Sequence, residues 1–114
     1  MITDTAVTLD RDQLRNVTLD DEELMREILF ALIDDTSRQL VLLQSAIHEQ
    51  NPQKTMRLAH YSKGACANVG ANAAAKVLRQ IEQDAARSDF AECSASLSAL
   101  AHEIDRLRSE AVTS

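Results

Sequence analysis

Almost nothing in this chain would make it turn. Across 114 residues there are two glycines, Gly64 and Gly70, and one proline, Pro52. A β-sandwich or barrel needs a tight turn every ~8–12 residues and draws on Gly and Pro to make them. An all-β fold is therefore excluded. Ala and Leu, both strong helix formers, supply 31 residues. The chain is one domain in length, too short for a catalytic domain joined to a separate nucleotide-binding domain.

The apolar residues recur at helical spacing, and the few breakers divide them. Residues 1–8 read as a flexible N-terminus, followed by a single domain over 9–112. A short helix is predicted near Leu9–Asn16. Thr18 offers an N-cap, with Asp20, Asp21 and Glu22 in the first turn, where the helix dipole favours anions. From there to about Gln50 nothing stops a helix. Leu24, Ile28, Leu32, Leu40, Leu43 and Ile47 form its apolar stripe. Asn51-Pro52 is the clearest punctuation: Asn caps, and Pro fits the first helical position. The third helix runs to about Val69, with Leu58, Ala65, Cys66 and Val69 on its core side and Ala59 and Ser62 filling in. Gly70 can take the positive φ that ends it. A fourth helix covers Ala71–Arg87. Asp89 and Glu92 have capping-box spacing before a fifth, whose seam is Phe90, Cys93, Leu97, Leu100, Ile104, Leu107 and Ala111. The fold class expected is all-α: an antiparallel up-down-up-down four-helix bundle with a short N-terminal leading helix.

Charge narrows the function. The net charge is −6, which argues against nucleic acid and against anionic lipid as partners. The three aromatics, Phe30, Tyr61 and Phe90, are too few for base stacking. Cys66 and Cys93 make no C-x-x-C, so they read as small buried hydrophobes in a reducing compartment. No signal-like start and no apolar run of ~18 residues occur, so a cytoplasmic location is expected.

The third helix breaks the bland pattern. Away from its core side it carries Arg57, His60, Lys63, Gly64 and Ala67. The last four lie at offsets zero, three, four and seven, along one strip. That strip holds a titratable nucleophile, a cation, and two residues with almost no side chain. Glycine inside a helix costs about 1 kcal/mol relative to Ala, so Gly64 asks for a reason. A helical side chain leans back over the preceding turn. Gly64 thus leaves the His60 imidazole uncovered and lets another molecule approach. Lys63 can bend over the ring. Neutral imidazole is a nucleophile at cell pH, and a nearby cation offsets charge on phosphoryl oxygens. Taken singly, His60 and Lys63 could be ordinary surface residues, and Gly64 could serve close helix packing.

Residues 60–71 read His-Tyr-Ser-Lys-Gly-Ala-Cys-Ala-Asn-Val-Gly-Ala. This run resembles the signature of the histidine-containing phosphotransfer (HPt) domains of phosphorelays, in agreement at His60, Lys63, Gly64, Ala65, Val69, Gly70 and Ala71. It departs at Ser62, where the family usually has an apolar residue. There a core-side Ser would satisfy its hydroxyl on the Leu58 carbonyl, four residues back. The resemblance implies a phosphoryl carrier and not an enzyme, phosphorylated on His60, with Lys63 beside the phosphoryl group and Gly64 and Ala67 clearing room for a receiver domain. It implies response-regulator receivers and a hybrid histidine kinase as partners. It implies no cofactor or metal on this chain, since the receiver brings the carboxylates and Mg²⁺. Arg38, Gln39 and Arg57 are candidate partner contacts, and Phe30, Ile33 and Val41 a candidate exposed apolar patch. A monomer is expected.

Two other classes compete. A metal bundle on His48, His60 and His102 would repeat Glu-x-x-His, but Ser45, Arg57 and Ala99 stand where those Glu would be. A non-phosphorylated helical module that binds receiver or kinase domains would have lost the His, and His60 is present.

Overall fold

A computed structural model describes residues 6–113. Five helices follow in order: α1 (Arg11–Val17), α2 (Glu22–His48), α3 (Pro52–Asn68), α4 (Asn72–Ala86) and α5 (Phe90–Thr113). No strand occurs among the described residues. The α2 helix packs on α3 and α5, and α4 packs on the same two. Each long helix therefore hides its apolar side against two neighbours. The shared core contains Leu29, Leu43, Cys66, Leu78, Ile81, Leu100 and Leu107, all nearly fully buried.

The helix ends follow from side-chain chemistry. Asn51 accepts from the Lys54 N–H and Pro52 opens α3. Asp89 accepts from the Glu92 N–H at the start of α5. At the head of α2 the cap is Asp21, which accepts from the Leu24 N–H. Thr18, expected in that role, instead closes α1: its hydroxyl donates to the Leu14 carbonyl at 2.8 Å. Leu19 and Asp20 then turn the chain with φ of 54° and 63°. The threonine is buried and its hydroxyl spent, so the free carboxylate takes the N–H groups.

The α2 stripe is rotated from the expected one. Leu29, Leu32, Ile33, Thr36, Leu43, Ala46 and Ile47 are buried, while Leu24 is exposed and Ile28 and Leu40 are half-buried. Ile33 therefore belongs to the core and not to an exposed patch; Phe30 and Val41 are exposed. Thr36 explains the shift. It fills a core position, its Oγ1 lying 3.9 Å from the Cys66 Sγ, and a stripe drawn through apolar residues alone passes it by. On α3, likewise, the fully buried positions are Thr55, Ala59, Ser62 and Cys66, with Leu58, Ala65 and Val69 half-buried. Both cysteines are free and buried, and burial pushes each thiol up to about 11.

The first described residues clip the corner between α3 and α4. The Asp10 N–H donates to the Gly70 carbonyl, and the Ala73 N–H to the Val7 carbonyl. Thr8 is buried. Of the flexible N-terminus expected over residues 1–8, residues 1–5 lie outside the described residues, while Val7 and Thr8 are engaged at this corner. The Gln13 amide donates to the carbonyls of Ala67 and Asn68 at the end of α3, where Ala67 also accepts from the Gly70 N–H. Gly70 makes this corner possible: its φ is +88°, and a Cβ there would sit 2.6 Å from the Asp10 carbonyl oxygen.

Ser62 does not do what its position suggests. Its Oγ is buried with no hydrogen-bond partner among the described residues, whereas Ser37 and Thr55 each donate to the carbonyl four residues back. An unpaired buried hydroxyl costs about 1–3 kcal/mol. Ser62→Ala removes that group and favours helix, so it is expected to raise stability by about 1 kcal/mol. A urea midpoint at or below wild type contradicts the orphaned hydroxyl.

Candidate functional site

The third helix delivers its reactive strip to the surface. Ala59, Ser62 and Cys66 face the core, so the intervening His60, Gly64 and Ala67 turn outward and are exposed. The His60 side chain is 70% exposed. Nothing packs over it from the next turn. A Cβ built on Gly64 meets no atom within 4 Å. Close helix packing is therefore not why this glycine is present.

The decisive neighbour comes from α4. Glu82 divides one carboxylate between two groups on α3: Oε2 lies 3.0 Å from His60 Nδ1, and Oε1 accepts from Lys63 Nζ at 2.7 Å. The Lys63 and Glu82 side chains are 26% and 23% exposed. Partial burial of Glu82 works against its charge, but the hydrogen bond and charge of Lys63, then those of His60, outweigh it and hold the carboxyl below its ordinary value. An ionised carboxylate only accepts. The 3.0 Å contact therefore requires a proton on Nδ1. In the neutral ring that leaves Nε2 with the lone pair, on a side chain mostly open to solvent. The arrangement presents one nucleophilic nitrogen in a defined tautomer, with an ammonium bound to the same carboxylate.

The sequence strip missed Glu82 altogether. It lies 22 residues beyond His60, so no spacing on one helix connects them. The remaining expected residues surround the site differently. Arg57 is exposed. Arg38 is exposed and pairs with Asp34 and Asp35 on its own helix. Gln39 is half-buried, its Oε1 enclosed without a partner. Tyr61, next to His60, donates to Asp35 at 3.0 Å, and that carboxylate holds the phenol above its usual range. Among the described residues no three His, Cys, Asp or Glu side chains converge to hold a metal, and no helix is long and apolar enough to cross a membrane.

Fold and site together define a small all-helical protein that displays an imidazole, His60, held by a carboxylate on its surface. The chain belongs to the Hpt domain family, whose model matches residues 27–110. Its structure is similar to the crystal structure of histidine-containing phosphotransfer protein B (HptB) from Pseudomonas aeruginosa PAO1. That pair shares 23% identity over 96% of this chain and 95% of the other, with a TM-score of 0.86. A putative histidine-containing phosphotransfer protein from rice is also similar, at 21% identity over 93% of this chain and 78% of the other, with a TM-score of 0.83. No curated protein matches the sequence.

Two measurements test this geometry. A carboxyl held low stabilises the fold above its unfolded value of ~4.3, and that contribution is lost as pH falls through the lower folded value. Wild type is thus expected to exceed Glu82→Gln in stability at neutral pH, with the gap closing in acid; a gap independent of pH contradicts the ion pair. Gly64→Ala is expected to raise stability by about 1 kcal/mol, because Ala favours helix and the space is empty. A lowered urea midpoint contradicts the open notch.

Proposed function

We propose that this chain is the phosphoryl carrier of a two-component phosphorelay, phosphorylated on His60 Nε2. The observation that carries the proposal is the Glu82–Nδ1 contact at 3.0 Å, which leaves Nε2 as the nitrogen free to react. The four long helices form an antiparallel up-down-up-down bundle led by the short α1, and α3 serves as the rod that holds the imidazole out.

The transfer follows from the same contacts. The Nε2 lone pair attacks phosphorus in an aspartyl phosphate of a receiver domain. The P–O bond to that aspartate breaks, and its electron pair returns to the carboxylate. The ring keeps its Nδ1 proton and gains positive charge, which the Glu82 carboxylate offsets. Transfer onward reverses these events, and the ring departs neutral because the proton never left Nδ1. Lys63 can move from Glu82 to the phosphoryl oxygens within the reach of its flexible stem. Gly64 and Ala67 keep the approach low. The protein itself is then a relay intermediate and not an enzyme. It needs no cofactor of its own, since the receiver brings the Mg²⁺ and carboxylates that clamp the transferring group. Its partners are response-regulator receivers and a hybrid histidine kinase, met in the cytoplasm by a monomer. Arg38, Gln39 and Arg57 are proposed contacts at the edge of that encounter.

Incubation with a phosphorylated receiver tests the assignment. Label that is acid-labile and base-stable is expected on the wild type and absent from His60→Gln. Equal labelling of both proteins contradicts it.

A further inference from the structure

The surface around His60 offers a phosphoryl group little shelter from water. The His60 side chain is 70% exposed, and a Cβ built on Gly64 meets no atom within 4 Å. Water reaches Nε2 as freely as a partner does, so the survival of a phosphoryl group there is decided by the ring itself. The other ring nitrogen is in a different setting. Nδ1 lies 3.0 Å from Glu82 Oε2, on a side chain only 23% exposed. Lys63 holds that carboxyl below its ordinary value and so keeps it ionised. The other charges around this stretch are placed differently. On α2, Asp35 accepts from Tyr61 and pairs with Arg38. On α4, Asp84 is held by Gln80 and Arg87, and Lys76 and Arg79 line the cleft beside Gly64. Arg57 is exposed one turn back on α3. The charge that meets the ring is that of Glu82.

The proton on Nδ1 governs how an N–P bond breaks. In hydrolysis a water oxygen forms a bond to phosphorus, the P–Nε2 bond breaks, and its electron pair returns to Nε2. The water proton goes to solvent and inorganic phosphate is released. With Nδ1 protonated the ring departs as neutral imidazole. Without that proton it must depart as an anion, a far poorer leaving group. A carboxylate beside Nδ1 favours the protonated, positively charged ring. It also stabilises that ring more than the transition state in which the charge is being lost, which slows departure once the proton is in place.

We infer that Glu82 sets the lifetime of the phosphorylated histidine, keeping the Nδ1 proton in place so that the ring stays ready to leave in alkaline as well as neutral solution. The inference rests on the carrier reading above and deepens it by giving a control on that same site. When Lys63 moves to the phosphoryl oxygens, both carboxylate oxygens are left to the ring, and the pairing tightens in the phosphorylated state. Glu82 touches neither phosphorus nor the attacking oxygen. It acts through the imidazole, as a positioning residue for a proton.

The test uses the full chain, labelled with phosphoramidate and then freed of it, with release of inorganic phosphate followed across pH. Glu82→Gln is nearly isosteric, and its amide oxygen still accepts from Nδ1, so it removes the charge and keeps the contact. The wild type is expected to lose phosphate about three- to tenfold faster than Glu82→Gln at about pH 9, where the variant ring has given up its proton. At about pH 6 both rings hold the proton, and the wild type is expected to be no faster than the variant. The alkaline difference is expected to persist in a Lys63→Gln background, which excludes the lysine released by Glu82→Gln as its cause. Coincident profiles overturn the inference. So does a variant slowed by the same factor at every pH, which would leave Glu82 an orienting role alone, and so does a difference that vanishes with Lys63. A Glu82→Gln protein that takes no label would place Glu82 in formation of the bond and overturns it too. If phosphoramidate does not label the wild type on His60, the carrier reading fails; if both proteins take label there and their profiles coincide, the Glu82 assignment alone fails.

Discussion

One carboxylate joins the two halves of the site. Glu82 reaches from α4 to α3 and holds an imidazole nitrogen with one oxygen and an ammonium with the other. Without it the imidazole of His60 would be free to rotate and to carry its proton on either nitrogen. With it, Nδ1 of the ring is engaged and the Lys63 ammonium is held on the same carboxylate. The contact depends on the fold. It forms only because α3 and α4 pack along their length, from the Gly70 corner to the level of His60.

That corner is built with some care for backbone satisfaction. The last carbonyls of α3 are taken up by the Gln13 amide, and the Gly70 carbonyl by the Asp10 N–H. Gly70 has no room for a side chain, because Asp10 fills it. Gly64 is the opposite case, a glycine with empty space in front of it. The two glycines of the chain therefore answer different demands. One is required by the protein's own backbone, and the other faces open space. Ser62 adds a further cost, a buried hydroxyl with no partner among the described residues. Stability has been given up in the helix that carries His60, and the other helices must supply it.

How much of this could be read in advance depended on whether the signal was local. Asn51-Pro52, Gly70 and Asp89 act on their own neighbours through caps and φ, so the helix boundaries they mark were legible. The α5 seam was legible because Cys93, Leu100, Ile104, Leu107 and Ala111 are all apolar and all buried. The phase of α2 was not. A threonine occupies its middle core position, and reading apolar residues alone turned the stripe toward Leu24 and Ile28. The strip from His60 to Ala67 was visible because one helix carries all of it. Glu82 was invisible for the complementary reason: its role exists only across a helix pair, and a charged residue on the wet side of α4 has no distinguishing spacing. Family resemblance pointed to His60, and only the packed structure supplied Glu82 beside it.

The orientation of that ring is the most direct point of attack. Long-range ¹H–¹⁵N NMR of the imidazole at alkaline pH, where the ring is neutral, distinguishes the two tautomers. A protonated Nδ1 and a lone pair on Nε2 are expected in the wild type, with the preference weakened in Glu82→Gln. A wild-type ring protonated mainly on Nε2 would mean that the exposed nitrogen carries no lone pair, and the proposed nucleophile would not exist.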